Sequence, residues 1–223
     1  MADDPDPALA FDAKYGPPVI LPALLTRPFH EVEKDLLNRL ERHGDDLTCL
    51  WEVVTLYTAG GRKEKAAAYL KRFQELEGRS EKRAEFLLSL GMLYENLKDF
   101  DNATAAYRQA VDEGPSDVGV AYFAHNNLAY CLNLRKRHAE AERLCRTAIW
   151  IDPRRYNAQK NLGVSLQGLG RWVEAGHAFL EANRLFPPDR RAVCHFLALV
   201  KEHPEVLEAI PKFSIDVLMS ESH

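Results

Sequence analysis

The chain has 223 residues, 46% of them hydrophobic and 28% charged, and a formal net charge of −4. This is the composition of one or two folded domains, and it argues against bulk attraction to nucleic acid or acidic lipid. No apolar run approaches the roughly 20 residues that a membrane-spanning helix needs. The acidic start, Met1 to Pro7, lacks the basic-then-apolar order of a secretory signal, so the expectation is a cytoplasmic protein.

Residues 1–25 read as a proline-rich arm. Gly16-Pro17-Pro18-Val19-Ile20-Leu21-Pro22 is apolar, and its prolines favour an extended path over a helix. Residues 26–45 read as one amphipathic helix. Thr26-Arg27-Pro28 starts it, Val32, Leu36 and Leu40 recur at spacing four, and Gly44 stops it.

Over residues 46–189 several columns repeat in step. Ala66, Ala103, Ala141 and Ala175 form one, and Val54, Gly91, Ala129 and Gly163 another. Phe73, Ala110, Ala148 and Ala182 form a third, and Gly78, Pro115, Pro153 and Pro187 a fourth. Each column advances by 37, 38 and 34 residues, which marks four tandem copies at about 47–80, 84–117, 122–155 and 156–189. Each copy reads as two helices, with Leu87, Leu90, Gly91 and Tyr94 on one face of the first helix in the second copy and Ala103, Tyr107 and Ala110 on one face of its second. The small residues let paired helices approach, and the proline ends the pair. The extra residues near Arg79–Arg83 and Ser116–Ala121 predict a first helix one turn longer in copies two and three, capped by Ser80 and by Ser116 or Asp117. Residues 190–223 read as a closing helix followed by an apolar tail.

Leu87-x-x-Leu90-Gly91-x-x-Tyr94, followed by Ala103-x-x-x-Tyr107-x-x-Ala110 and Pro115, resembles the tetratricopeptide repeat. Leu162-Gly163 with Ala175-x-x-x-Phe179-x-x-Ala182 and Pro187 resembles it too, and the first copy departs most. The resemblance implies an all-α fold, a right-handed superhelical solenoid of helix-turn-helix units whose inner face holds peptides. Carried over by position, that face is Trp51 and Thr55 in copy one and Leu88 and Met92 in copy two. Copy three gives Phe123, Asn126, Asn127, Tyr130 and Asn133, and copy four gives Asn157, Lys160, Asn161, Val164 and Gln167. Asn127 and Asn161, at equivalent positions, resemble the asparagines with which some family members hold a peptide main chain.

Amides donate to and accept from a peptide backbone, and aromatic walls anchor side chains. The expected partner is therefore a peptide segment with apolar anchors, bound by a non-catalytic adaptor or chaperone-like scaffold. Leu88, Met92 and Phe123 have an equally good reading as space-filling residues. The lysine–arginine clamp that some family members use for the acidic tails of heat-shock chaperones is missing from these positions. A second expectation is a structural assembly subunit that forms a homodimer through its C-terminal tail. The arm at Pro17–Leu25 is also close enough in sequence to compete for the groove. No phosphate loop, nucleophile signature or metal-ligand spacing is present, so no catalytic residue, metal or cofactor is expected. Arg135-Lys136-Arg137, Arg154-Arg155 and Arg190-Arg191 fall at repeat ends among acidic residues and read as solvated edges, not a nucleic-acid surface.

Overall fold

Residues 26–44, 46–76 and 83–210 are described by a computed structural model, and among them every regular element is a helix. They fall into two compact units, residues 1–120 and 121–223. The expectations on the proline-rich arm, Ser80 and residues 211–223 lie outside the described residues.

The first unit opens with α1 (Phe29–Arg42), which buries Val32, Leu36 and Leu40 on the face that the spacing of four predicts. Helix α2 (Leu47–Ala59) starts at Asp46, whose carboxylate accepts the Cys49 N–H at 3.0 Å and pairs with Arg39 at 2.9 Å. Helix α3 (Lys63–Gln74) buries Ala66, Leu70 and Phe73. Phe73 stacks on Phe86 at 4.7 Å and so joins α3 to α4 (Arg83–Asn96). Helix α5 (Phe100–Asp112) follows, with Asp99 accepting the Asn102 N–H at 3.1 Å. Described helix α4 is one residue longer than α2.

The second unit holds most of α6 (Val118–Leu134), then α7 (His138–Ile151), α8 (Tyr156–Gly168), α9 (Trp172–Leu185), α10 (Arg191–Glu202) and the short α11 (Glu205–Ala209). Helix α6 has 17 residues against 13 in α8, and Asp117 Oδ1 accepts the Val120 N–H at 2.8 Å. The extra turn and its aspartate cap are those the insertion predicts. Cys131 and Cys145 are buried and form no disulfide, and burial pushes Cys145 up to about 12. Helix α10 buries Ala192, Val193, Phe196 and Leu199. The tail then turns back on its own unit: Val206 and Ile210 are buried, each 2.9 Å from where a Cβ on Gly176 would stand. That start of the tail is spent in packing on α9.

In the second and fourth repeats the tight seam within the helix pair sets a small residue against an aromatic ring. A Cβ on Gly91 would collide with the Tyr107 ring, and one on Gly163 with the Phe179 ring. The glycine makes room for an aromatic side chain of the second helix. The same two positions hold Val54 with Leu70 in the first repeat and Ala129 with Cys145 in the third. Volume is traded between partners in each pair.

A further column is visible only in the backbone. Gly61, Lys98, Lys136 and Gly170 all have positive φ, at 69°, 64°, 58° and 74°. They sit at one repeat position, directly after the first helix of each pair. The next residue, Arg62, Asp99, Arg137 or Arg171, donates its N–H to the carbonyl of Tyr57, Tyr94, Leu132 or Leu166 at 2.8 to 3.0 Å. This left-handed closure ends each first helix and reverses the chain into the second.

Candidate functional site

The positions assigned to a ligand-facing surface lie on the first helix of each repeat. Eleven of the fourteen are buried, and Tyr130, Val164 and Gln167 are half-buried. In the first unit, Trp51 and Thr55 sit one turn apart on α2, and Leu88 and Met92 hold the matching turns of α4. Trp51 Nε1 and Thr55 Oγ1 are buried with no hydrogen-bond partner among the described residues. A buried donor or hydroxyl normally finds a partner, because leaving one unmade costs about 1–3 kcal/mol.

In the second unit the amides of α6 and α8 build a buried polar seam. Asn126 Nδ2 donates to Asn127 Oδ1 at 2.9 Å, and Asn161 Nδ2 donates to Asn126 Oδ1 at 3.0 Å. Asn133 Nδ2 donates to the Asn161 carbonyl at 2.9 Å, and Ser165 Oγ donates to Asn133 Oδ1 at 3.0 Å. His138 Nδ1 lies 3.1 Å from the same Asn133 oxygen. The repeat-related pair Asn127 and Asn161 is thus connected through Asn126.

Tyr122 ties the start of α8 to α6. Its hydroxyl accepts the Ala158 N–H at 2.9 Å and donates to the Arg155 carbonyl at 3.3 Å. The Arg155 guanidinium lies 5.3 Å from the Tyr122 ring centre and 5.1 Å from that of Phe123, and meets Asp152 at 2.9 Å. Burial opposes the Asp152 charge, but hydrogen bonds from Arg154 and Arg155 outweigh it and hold the carboxyl below its ordinary range. Sequence reasoning missed Tyr122 and Ser165 and read Arg155 as part of a solvated edge, whereas Arg155 is buried, because these roles depend on which turn of α6 meets which turn of α8.

The other end of this face reaches α10. Burial, then the nearby Lys160 and Arg191 charges, push His195 below its ordinary value, with Asp189 opposing. Burial, then Asp189, pushes the Tyr156 hydroxyl up to about 12. Next to Tyr156, Asn157 is buried and its Oδ1 has no hydrogen-bond partner among the described residues. Among the described residues no group of three histidine, cysteine, aspartate or glutamate side chains is placed to hold a metal ion, and no helix is long and apolar enough to cross a membrane.

Paired helices with repeated seams and repeated turn closures define a helical-repeat protein. Residues 54–118 match the tetratricopeptide repeat family. The MamA of Desulfovibrio magneticus RS-1 superposes with a TM-score of 0.59 at 18% identity, over 79% of this chain and 96% of that one. A second MamA structure, MSR-1 C2, gives 0.54 at 21% identity, over 77% and 95%. A curated relative, the BBSome complex member BBS4 homolog of Drosophila melanogaster, is 24% identical over 150 residues. The match covers 67% of this chain but 30% of that relative's length. The chain thus contains a stretch, residues 54–118, that matches the tetratricopeptide repeat family, within an all-α helical-repeat fold.

Proposed function

We propose that the chain is a non-catalytic protein-interaction module that binds a peptide segment of a partner on the ligand-facing side of its first helices. The observation that carries this reading is the location of three unsatisfied buried polar atoms. Trp51 Nε1, Thr55 Oγ1 and Asn157 Oδ1 all belong to residues that the repeat register assigns to that side. In the first unit Trp51 and Thr55 offer a donor and a hydroxyl, and in the second unit Asn157 offers an acceptor, each a group that pairs with the C=O or N–H of a peptide main chain. Half-buried Tyr130, Val164 and Gln167 add an apolar and amide border for the side chains of such a segment.

The test uses shape-preserving changes, Thr55→Val and Asn157→Leu. If these atoms wait for a ligand, removing them leaves the isolated chain as stable or about 1 kcal/mol more stable. Partner capture from lysate, read by mass spectrometry, should fall together with that gain. Unchanged capture by the double variant would refute the reading.

A second reading, an assembly subunit, draws support from the relative whose name makes it a member of a complex. Self-association through the tail would then depend on residues beyond Ile210, since Val206 and Ile210 are already buried.

A further inference from the structure

Helix α7 carries a face that the peptide-binding reading does not use. Ala141, Cys145 and Ala148 are buried on one side. On the opposite side Ala139, Arg143, Arg146, Thr147 and Trp150 form a continuous exposed stripe, and Arg154 extends it past the end of the helix. Trp150 is 84% exposed. An indole left in water forgoes the burial that aromatic side chains otherwise contribute, and a partner can recover it.

The stripe carries guanidinium groups along with the indole: on α7 Arg143 precedes Trp150 by two turns and Arg146 by one, and Arg154 lies three residues past the end of the helix. The carboxylates nearby are outnumbered. Glu142 is shared by Arg146 at 2.8 Å and Arg171 at 2.7 Å, and Arg171 also meets Glu174. Asp152 is shared by Arg154 at 3.1 Å and Arg155 at 2.9 Å. For Arg143 no ion pair occurs among the described residues. The stripe therefore keeps a positive surplus around an apolar centre. Tryptophan and arginine are the residues that dominate protein interfaces, and the charge selects an acidic occupant with an apolar side chain.

The sequence itself contains such a segment. Asp3, Asp4, Asp6 and Asp12 precede the first lysine, Lys14, and enclose Leu9 and Phe11. We infer that the exposed face of α7 docks the acidic N-terminal segment, residues 3–12, of a second copy of this chain. The aspartates meet Arg143, Arg146 and Arg154, and Leu9 or Phe11 covers Trp150.

The experiment uses the full chain and a fluorescein-labelled peptide of residues 1–12, followed by anisotropy. Saturable binding is expected, weakened about tenfold by raising salt, because screening shortens the reach of the charges. Trp150→Ala and Arg143→Glu should each weaken it about tenfold. Neither removes a buried contact, so circular dichroism should be unchanged. Sedimentation of the full chain should show a salt-sensitive dimer, lost in the variant with Asp3, Asp4 and Asp6 changed to Asn. Peptide binding indifferent to Trp150→Ala and Arg143→Glu overturns the inference. A chain that stays monomeric up to about 200 μM, a concentration at which even weak pairs form, also overturns it and leaves a foreign acidic partner for this face.

Discussion

The unequal pairing of side chains across each helix pair makes Gly163→Ala an informative change. Alanine is the better helix former by about 1 kcal/mol, so propensity alone predicts stabilisation. Packing predicts the reverse. A Cβ at residue 163 would lie 2.5 Å from Cδ1 and 2.8 Å from Cζ of Phe179, where carbon contacts prefer about 3.5–4.0 Å. The ring or the helix must move by about 1 Å, and such overpacking costs about 2–3 kcal/mol. The expected net loss is about 1–2 kcal/mol. Phe179→Leu alone vacates ring volume and should cost about 1 kcal/mol or more. In the double variant the new methyl group occupies the vacated space, so the two losses should fall short of additivity by about 1 kcal/mol or more. Urea unfolding followed by far-ultraviolet circular dichroism measures all three. A Gly163→Ala chain at least as stable as the parent, or strictly additive losses, would refute the packing argument.

Two further outcomes follow from the same structure. Asp152 and Arg155 are both buried, at 4% and 8% exposure, so Asp152→Asn should cost about 3 kcal/mol by removing the carboxylate that meets a buried cation at 2.9 Å. Because the Asp152 carboxyl is held below its ordinary value of about 3.9, its contribution is present above about pH 4 and lost as pH falls through the depressed folded value. An acid titration of stability should therefore be shallower in Asp152→Asn. Lys136 occupies a left-handed conformation with φ 58°, so Lys136→Gly should raise the urea midpoint by about 0.5–1 kcal/mol equivalent, and Gly170→Lys, at φ 74°, should lower it. Equal midpoints would show that the turn is not strained.

The helical-repeat fold was legible because buried faces and repeat phase are properties of sequence spacing alone. Val32, Leu36 and Leu40 face the core, and the insertion before α6 emerges as a turn of helix with Asp117 at its start. The left-handed column was hidden, since Lys98 and Lys136 fill two of its four places and a lysine does not announce positive φ. The columns of small residues showed that the paired helices approach closely, but not that the aromatic ring of Tyr107 or Phe179 takes the space beside Gly91 or Gly163. For the candidate site, helical rotation groups residues by side of the first helix. It did not reveal that Asn126, Asn133 and Asn161 bond one another, because that depends on the register between α6 and α8. Nor did it separate Thr55, whose hydroxyl has no partner among the described residues, from Ser165, whose hydroxyl has two.

Tandem copies bring a hazard during folding, since the leading helix of one copy resembles that of every other and can dock on the wrong follower. The unequal side-chain volumes act against such mispairing. A leading helix bearing Val54 or Ala129 has no hollow for the ring of Phe179, and one bearing Gly163 would leave a void against Cys145. The glycine–aromatic pairs thus work as address labels, steering each leading helix to a follower of matching bulk before the array consolidates.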